Sequence, residues 1–226
     1  MNTRIAKRFT HRLLLAALLT CLATMATAAD SRTPDEIVTQ TANTVAARVA
    51  ADRERLETHP DELYALVDKV FLPIFDTRYA GRLILGRHGR TATPEQRKAF
   101  VNAFYHFLVH SYASNMLKFK KDNIRIYPAP AGQTKNPKRA VVRTQMRLDD
   151  GSTASVDYSM RLTPEGWRVY DVRIEGVSYV QTYRSQFDTE ISAHGLDATI
   201  ARLRAETGQS GTTDSKDAAP AGSPAP

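Results

Sequence analysis

Two sets of residues in this 226-residue chain have types and spacing that could support chemistry. His106 and His110 stand four apart in a stretch of helical periodicity, which puts both imidazoles on one side of a helix and suits zinc. The zinc-hydrolase form of that spacing needs a glutamate directly after the first histidine. Phe107 stands there instead, and no third ligand is evident. The pair reads as solvated histidines, and no metal is expected. The second set is Asp157, Asp171 and Glu175, on or beside expected strands. A carboxylate turned inward beside a tyrosine could act as a general acid or base in a hollow fold. Asp157 alternates with Val156 and Tyr158, and Asp171 with Tyr170 and Val172, so both are expected to face outward. Pairing across strands with Arg143, Arg168 or Arg173 is their expected role. No catalytic residue is assigned. A run of Arg82, Arg87, Arg90, Arg97 and Lys98 reads as a solvated basic face, with a lipid phosphate or an acidic partner surface as its functional alternative.

The elements that would position these residues follow from capping and periodicity. Thr33-Pro34-Asp35-Glu36 carries a capping box with proline at the first helical position, and Ile37, Val45, Val49 and Leu56 give that helix an apolar side. A shorter helix is expected over 60–70. Another starts at Asp76, carries Tyr79, Leu83 and Ile84, and ends at Gly86. Thr93-Pro94-Glu95-Gln96 repeats the capping logic and launches what is expected to be the longest helix, over 94–120, with an apolar stripe through Phe100, Phe104, Phe107, Leu108, Tyr112, Met116 and Phe119. Four strands follow at about 123–128, 139–148, 153–162 and 167–174, joined by turns at Asp149-Asp150-Gly151 and Thr163-Pro164-Glu165-Gly166. After the last strand, Gly176 frees the backbone to turn and Ser178 is placed to cap a helix. Two C-terminal helices, broken at Gly195, finish the chain. The expected fold is α+β: a curved four-stranded antiparallel sheet wrapped by six to seven helices, a cone of the NTF2-like kind with an apolar cavity.

The ends are expected to lie outside that fold. Arg4, Lys7, Arg8 and Arg12 precede a short apolar run from Leu13 to Leu22, and Ala26-Thr27-Ala28 fits a cleavage site, so residues 1–29 read as a signal peptide for export to the periplasm. A lipoprotein signal using Cys21 is the rival reading, and Thr20 before it is a poor match. Loss of those four basic residues lowers the formal net charge from +7 to +3, which is no nucleic-acid footprint. It also removes the single cysteine, so the mature chain needs no disulfide. Residues 30–206 read as one domain. From 207 to 226 the composition of Thr, Gly, Ser, Asp, Pro and Ala reads as a disordered tail.

Three stretches resemble the MlaC family, also called the toluene-tolerance auxiliary protein family. They are Trp167 to Phe187; Leu72-Pro73-Ile74-Phe75-Asp76 with Tyr79-Ala80-Gly81, Leu85-Gly86 and Thr91 to Arg97; and His194-Gly195-Leu196-Asp197. Together they span roughly 33–203. Gly89, where the family often has an aromatic, and the long polar tail depart from the pattern. The resemblance implies a soluble periplasmic phospholipid carrier that moves lipid between the outer and inner membranes as the binding component of an Mla-type ABC transport system. It implies as partners phospholipid, an outer-membrane lipoprotein–porin complex and the MCE-domain subunit of an inner-membrane ABC transporter. A relative handling hopanoid-type lipids shares the pattern, and an NTF2-like enzyme on a small hydrophobic substrate is the alternative of a different class. No cofactor is expected.

One sheet face carries the apolar alternation: Val142, Thr144, Met146 and Leu148 on one strand, Val156, Tyr158, Met160 and Leu162 on the next, and Tyr170, Val172 and Ile174 on the last. Taken alone, such a face is solid core. The resemblance implies that it borders an elongated cavity for acyl chains between sheet and helices. Its expected lipid-binding lining is then Tyr79, Leu83, Phe100, Phe104, Val142, Thr144, Met146, Tyr158, Met160, Tyr170, Val172 and Ile174.

Overall fold

Thr33 and Thr93 each open a helix by the same device. The Thr33 hydroxyl accepts the Glu36 N–H at 3.3 Å while the Glu36 carboxylate accepts the Thr33 N–H at 2.8 Å. Thr93 and Gln96 repeat the exchange at 3.1 and 3.0 Å. Each cap satisfies a first-turn N–H that the helix itself cannot. The computed structural model describes residues 30–118, 120–127, 137–148 and 150–208. The expected signal peptide with Cys21, Phe119, Asp149 and the tail from 209 onward lie outside the described residues. Thr207, where the tail was placed, is buried, and its hydroxyl donates to the Arg204 carbonyl at 3.1 Å.

The described chain has seven α-helices and five strands. The helices are α1 (Pro34–Thr58), α2 (Pro60–Phe71), α3 (Thr77–Leu85), α4 (His88–Thr91), α5 (Pro94–Tyr112), α6 (Tyr179–His194) and α7 (Leu196–Glu206). The strands are β1 (Ile124–Tyr127), β2 (Arg139–Arg147), β3 (Thr153–Thr163), β4 (Gly166–Ile174) and β5 (Val177–Ser178). They form one antiparallel sheet in the order β1-β2-β3-β4-β5. The α+β class holds.

Two expectations need correction. The helix placed over 94–120 is α-helical only to Tyr112 and tightens into a 3-10 segment, Ala113–Lys118; α1 spans more residues but is kinked at Asp52 (φ −125°, ψ 21°). The sheet has a fifth strand. Sequence reading ran the chain through Gly176 straight into a helix, whereas Glu175 (φ 49°) and Gly176 (φ 80°) make a two-residue turn with positive φ at both positions. That geometry closes a tight hairpin, pairing Ile174 with Val177 and Arg173 with Ser178 before α6 begins.

A bulge in β4 governs the sheet faces. Ser159 pairs with Asp171 and Met160 with Val169, leaving Tyr170 as the extra residue. In sequence, Trp167 and Val169 belong to one alternation and Val172 and Ile174 to the other. The inserted residue brings all four to one face, opposite Leu162, Met160, Tyr158 and Val156. The free edge of β4 is partly covered by the α2–α3 link: the Asp76 N–H donates to the Val169 carbonyl and the Val169 N–H to the Ile74 carbonyl, both at 2.8 Å.

Three apolar clusters hold the fold. Ile37 and Val38 of α1, with Ile74, close over Val142, Met160 and Val169 of the sheet. Val45, Val49 and Leu56, further along α1, pack on Leu63 and Val67 of α2 and Val109 of α5. The third is helical throughout, with Ile84 and Leu85 of α3, Phe100 and Phe104 of α5, Tyr183 and Phe187 of α6, and Ile200 and Leu203 of α7.

Candidate functional site

Cross-strand register brings seven of the eight expected strand residues to one face. Val142 lies opposite Tyr158 and Tyr158 opposite Val172; Thr144 lies opposite Val156 and Val156 opposite Ile174; Met146 lies opposite Ala154 and Met160 opposite Ala140. Directly opposed residues point the same way, so this is a continuous apolar wall four strands wide once Ile124 and Ile126 of β1 are added. The buried Thr144 hydroxyl on it is satisfied, donating to the Val156 carbonyl at 2.8 Å. Val142, Met160 and Val169 have no exposed surface, being covered by α1 and the α2–α3 link. Tyr158, Val172, Ile126 and Trp167 are half-buried around them. Burial pushes the Tyr158 phenol up to about 12.

The eighth strand residue, Tyr170, meets another expected site residue elsewhere. Its ring stands edge-on to Tyr79 of α3, centroids 5.3 Å apart. Around this pair gather three guanidinium groups. Arg161 lies 4.4 Å, Arg82 4.8 Å and Arg139 5.2 Å from the Tyr79 ring centre, and Arg139 lies 4.8 Å from that of Tyr170. Arg139 also donates to the Tyr79 hydroxyl oxygen at 2.6 Å, which lowers the Tyr79 pKa below the ordinary phenol value; burial opposes the shift, and the charges of Arg82 and Arg161 add to it. Asp76 ties the group to the fold. One carboxylate oxygen caps α3 by accepting the Tyr79 N–H at 2.9 Å, and the other accepts from Arg161 at 2.5 Å. Asp76 and Arg161 also border an open cleft of about 360 Å³ between the start of α3 and the β3–β4 turn, walled by Phe75, Arg78, Glu165 and Arg168. Its charged lining suits a polar group, not a hydrocarbon chain.

The remaining expected residues separate. Phe100 and Phe104 lie in the all-helical cluster, stacked with centroids 5.9 Å apart and met edge-on by Phe187, away from the sheet wall. Leu83 is half-buried on α3 and belongs to none of the three clusters. The basic run disperses: Arg87 bonds Asp188 and Ser192, Arg97 donates to the Gly89 and Ala92 carbonyls, and Arg90 and Lys98 are exposed. Sequence reading missed Arg139 and Arg161. Their signal was present, since they alternate with the apolar residues of β2 and β3, but nothing local placed them beside α3.

The acid–base and metal candidates fall into structural settings. Asp157 stands directly between Arg143 and Arg173 in the register, as expected. Asp171 does not face solvent. It is 6% exposed and accepts from the Ser178 hydroxyl at 2.8 Å and the Val180 N–H at 3.1 Å, because the tight β4–β5 hairpin folds the start of α6 back onto it. His110 stacks on Tyr64, centroids 4.1 Å apart. Among the described residues no three His, Cys, Asp or Glu side chains are grouped to hold a metal ion, and no helix is long and apolar enough to cross a membrane.

Comparison with known proteins agrees with this geometry. Residues 39–205 match the family described as MlaC protein. The chain is 26% identical over 173 residues to the toluene tolerance protein ttg2D of Pseudomonas putida, covering 75% of this chain and 79% of that protein. It is 22% identical over 199 residues to the intermembrane phospholipid transport system binding protein MlaC of Haemophilus influenzae, covering 87% and 92%. Among solved structures, it resembles the phospholipid-binding protein of Ralstonia solanacearum in complex with a phospholipid. The TM-score is 0.70 at 25% identity, covering 79% of this chain and 98% of that one.

Proposed function

This chain belongs to the MlaC family, and we propose that it binds phospholipid and carries it across the periplasm between the outer and inner membranes. The observation that carries this reading is the apolar wall of β1–β4, together with the likeness to a phospholipid-bound structure. Each methylene taken out of water is worth about 0.8 kcal/mol, so two ordinary acyl chains require on the order of 20 kcal/mol of shelter. A sheet face that is apolar over four strands and roofed by one long helix is suited to supply it. Val142, Met160 and Val169 are covered by Ile37, Val38 and Ile74, so tails enter by parting α1 and the α2–α3 link from the sheet. Met160 and Met146, flexible and polarizable, suit a wall that must repack around variable chains.

In this reading the protein performs no chemistry on the lipid. Asp171, the best placed carboxylate for acid–base work, is committed to the start of α6. Release depends on a partner that favours the parted state, because tight binding alone gives no transfer. An outer-membrane lipoprotein–porin complex and the MCE-domain subunit of an inner-membrane ABC transporter are the partners proposed, with residues 1–29 directing export.

The test is solvent extraction of the gently purified protein followed by mass spectrometry. Phospholipid near one molecule per chain is expected. A chain that neither retains lipid nor takes it from vesicles would overturn the reading.

A further inference from the structure

The corner between α3 and α4 carries exposed charge that the fold largely leaves unused. From Thr77 to Pro94 the chain has no acidic residue, yet it holds Arg78, Arg82, Arg87 and Arg90, all four exposed. Arg78 and Arg82 stand four apart on α3, a like-charge spacing that weakens a helix. Helix α6 adds a fifth cation. Gly86 turns the chain out of α3 at φ 51°, and a Cβ there would lie 2.9 Å from the Arg184 Nε, so the exposed Arg184 side chain rests on the corner. Among the described residues, the Arg78, Arg90 and Arg184 side chains make no hydrogen bond or ion pair.

Little negative charge is left to balance them. Asp188, one turn beyond Arg184 on α6, accepts from Arg87 and pairs with His88, each at 2.9 Å. Asp76, just before α3, is committed to the Tyr79 N–H and to Arg161, and Glu190 of α6 to Arg202. On α5, Glu95 and Lys98 are both exposed and cancel. One carboxylate against five arginines leaves the corner strongly positive.

This charge stands without apolar surface. The exposed large hydrophobic residues among those described are Leu72, Tyr127, Leu148, Leu162 and Val177, and none is on α3, α4 or α6. A protein interface draws its affinity from aromatic and apolar anchors, with charge depleted at its centre. The corner has the opposite composition. It matches a plane of spread negative charge, which attracts basic groups individually and asks for no fixed fork geometry.

We propose that the α3–α4 corner, through Arg78, Arg82, Arg87, Arg90 and Arg184, docks this protein on the surface of an anionic lipid bilayer. The contact is peripheral. No described helix is long and apolar enough to cross a membrane, and no exposed apolar side chain of the corner inserts, so charge alone holds the protein there and salt releases it. None of these arginines belongs to the apolar sheet wall, so docking does not rest on the carrier function proposed above.

The experiment co-sediments the full mature chain with vesicles of phosphatidylcholine, alone or mixed with phosphatidylglycerol. Wild type should bind the mixed vesicles and not the neutral ones. Binding should fall steeply as ionic strength rises from about 0.01 M to about 0.15 M and the screening length shrinks from about 30 Å to about 8 Å. Arg78→Gln, Arg90→Gln and Arg184→Gln should each weaken binding about fivefold, the scale of one basic residue near a charged bilayer, and the triple variant about a hundredfold. These side chains make no bonds within the described fold, so the variants keep it. The triple lysine variant should bind as wild type does, because a bilayer reads charge and not the planar fork. No binding of wild type to mixed vesicles at low salt, or binding unchanged in the triple glutamine variant, overturns the proposal. A triple lysine variant as weak as the glutamine one also overturns it, and points instead to fork-specific recognition by a carboxylate-bearing protein. A chain that docks on the mixed vesicles but takes up no lipid overturns the carrier reading and leaves this surface standing.

Discussion

The Ser178 hydroxyl donates a hydrogen bond to Asp171 at 2.8 Å while the same oxygen accepts the Gln181 N–H at 3.1 Å. One side chain thus caps α6 and fastens it to β4. Asp171 adds a second bond by accepting the Val180 N–H at 3.1 Å. Asp171→Ala removes the acceptor for both and is expected to cost about 2–3 kcal/mol, because a part-buried hydroxyl and a helix N–H lose their charged partner. Ser178→Ala should cost about 1 kcal/mol, the scale of an N-cap. Since the two act on one helix terminus, the double variant should cost clearly less than the sum in urea unfolding. Strict additivity would show that the pair is not a unit.

The sheet wall and the helical cluster should respond differently to substitution. Val172→Asp puts a charge on the half-buried part of the wall, where it has no partner. The variant is expected to fold and to lose most of its co-purified phospholipid, read as lipid per folded chain. Phe104→Ala hollows the all-helical cluster and should lower stability by about 3–5 kcal/mol. Its lipid content per folded chain should be unchanged. Loss of lipid from Phe104→Ala with full content in Val172→Asp would place the tails among the helices instead.

Helices α3 and α5 approach closely at Gly81. A Cβ there would lie 2.5 Å from the Val101 Cγ2 methyl. Gly81→Ala is therefore expected to destabilise by about 1–3 kcal/mol despite alanine's better helix propensity. Val101→Ala in the same chain should recover most of the loss, measured by thermal unfolding. A stabilising Gly81→Ala would refute the close approach.

Alkaline stability follows from buried tyrosines, Tyr179 among them, its pKa raised chiefly by burial. Burial raises the Tyr158 pKa to about 12, and burial chiefly raises those of Tyr105 and Tyr183, with Asp68 and Tyr112 respectively adding to it as hydrogen-bond partners. Each folded-state value lies above the unfolded one, so the folded chain holds protons that the unfolded chain releases above about pH 10. Their contribution is present in full below pH 10 and is lost as pH rises through the folded values. Unfolding free energy should fall between about pH 10 and pH 12, and less steeply in Tyr158→Phe. A flat profile over that window would contradict the burial of these phenols.

The local signals of the chain were legible without coordinates. Thr33 with Glu36, Thr93 with Gln96, Asp76 with Tyr79 and Ser178 with Gln181 all formed as caps because each bond spans three residues, so neighbours along the chain suffice. The alternation of Val142, Thr144 and Met146 against Val156, Tyr158 and Met160 likewise identified one apolar face, because strand period and pleat are properties of the segment itself. What depended on residues distant in sequence was not legible. Nothing near Tyr170 announced that it would bulge, yet the bulge decides that Trp167 and Val169 share a face with Val172 and Ile174, and only the fold-back of α6 buries Asp171. The meeting of Arg82, Arg139 and Arg161 on one tyrosine, and the separation of Phe100 and Phe104 from the sheet, are set by how α3 and α5 dock on the rest. Capping and alternation are fixed by hydrogen bonds and pleat within a few residues. Register, side-chain partition and charge convergence come from packing elements together, and only the tertiary structure decides them.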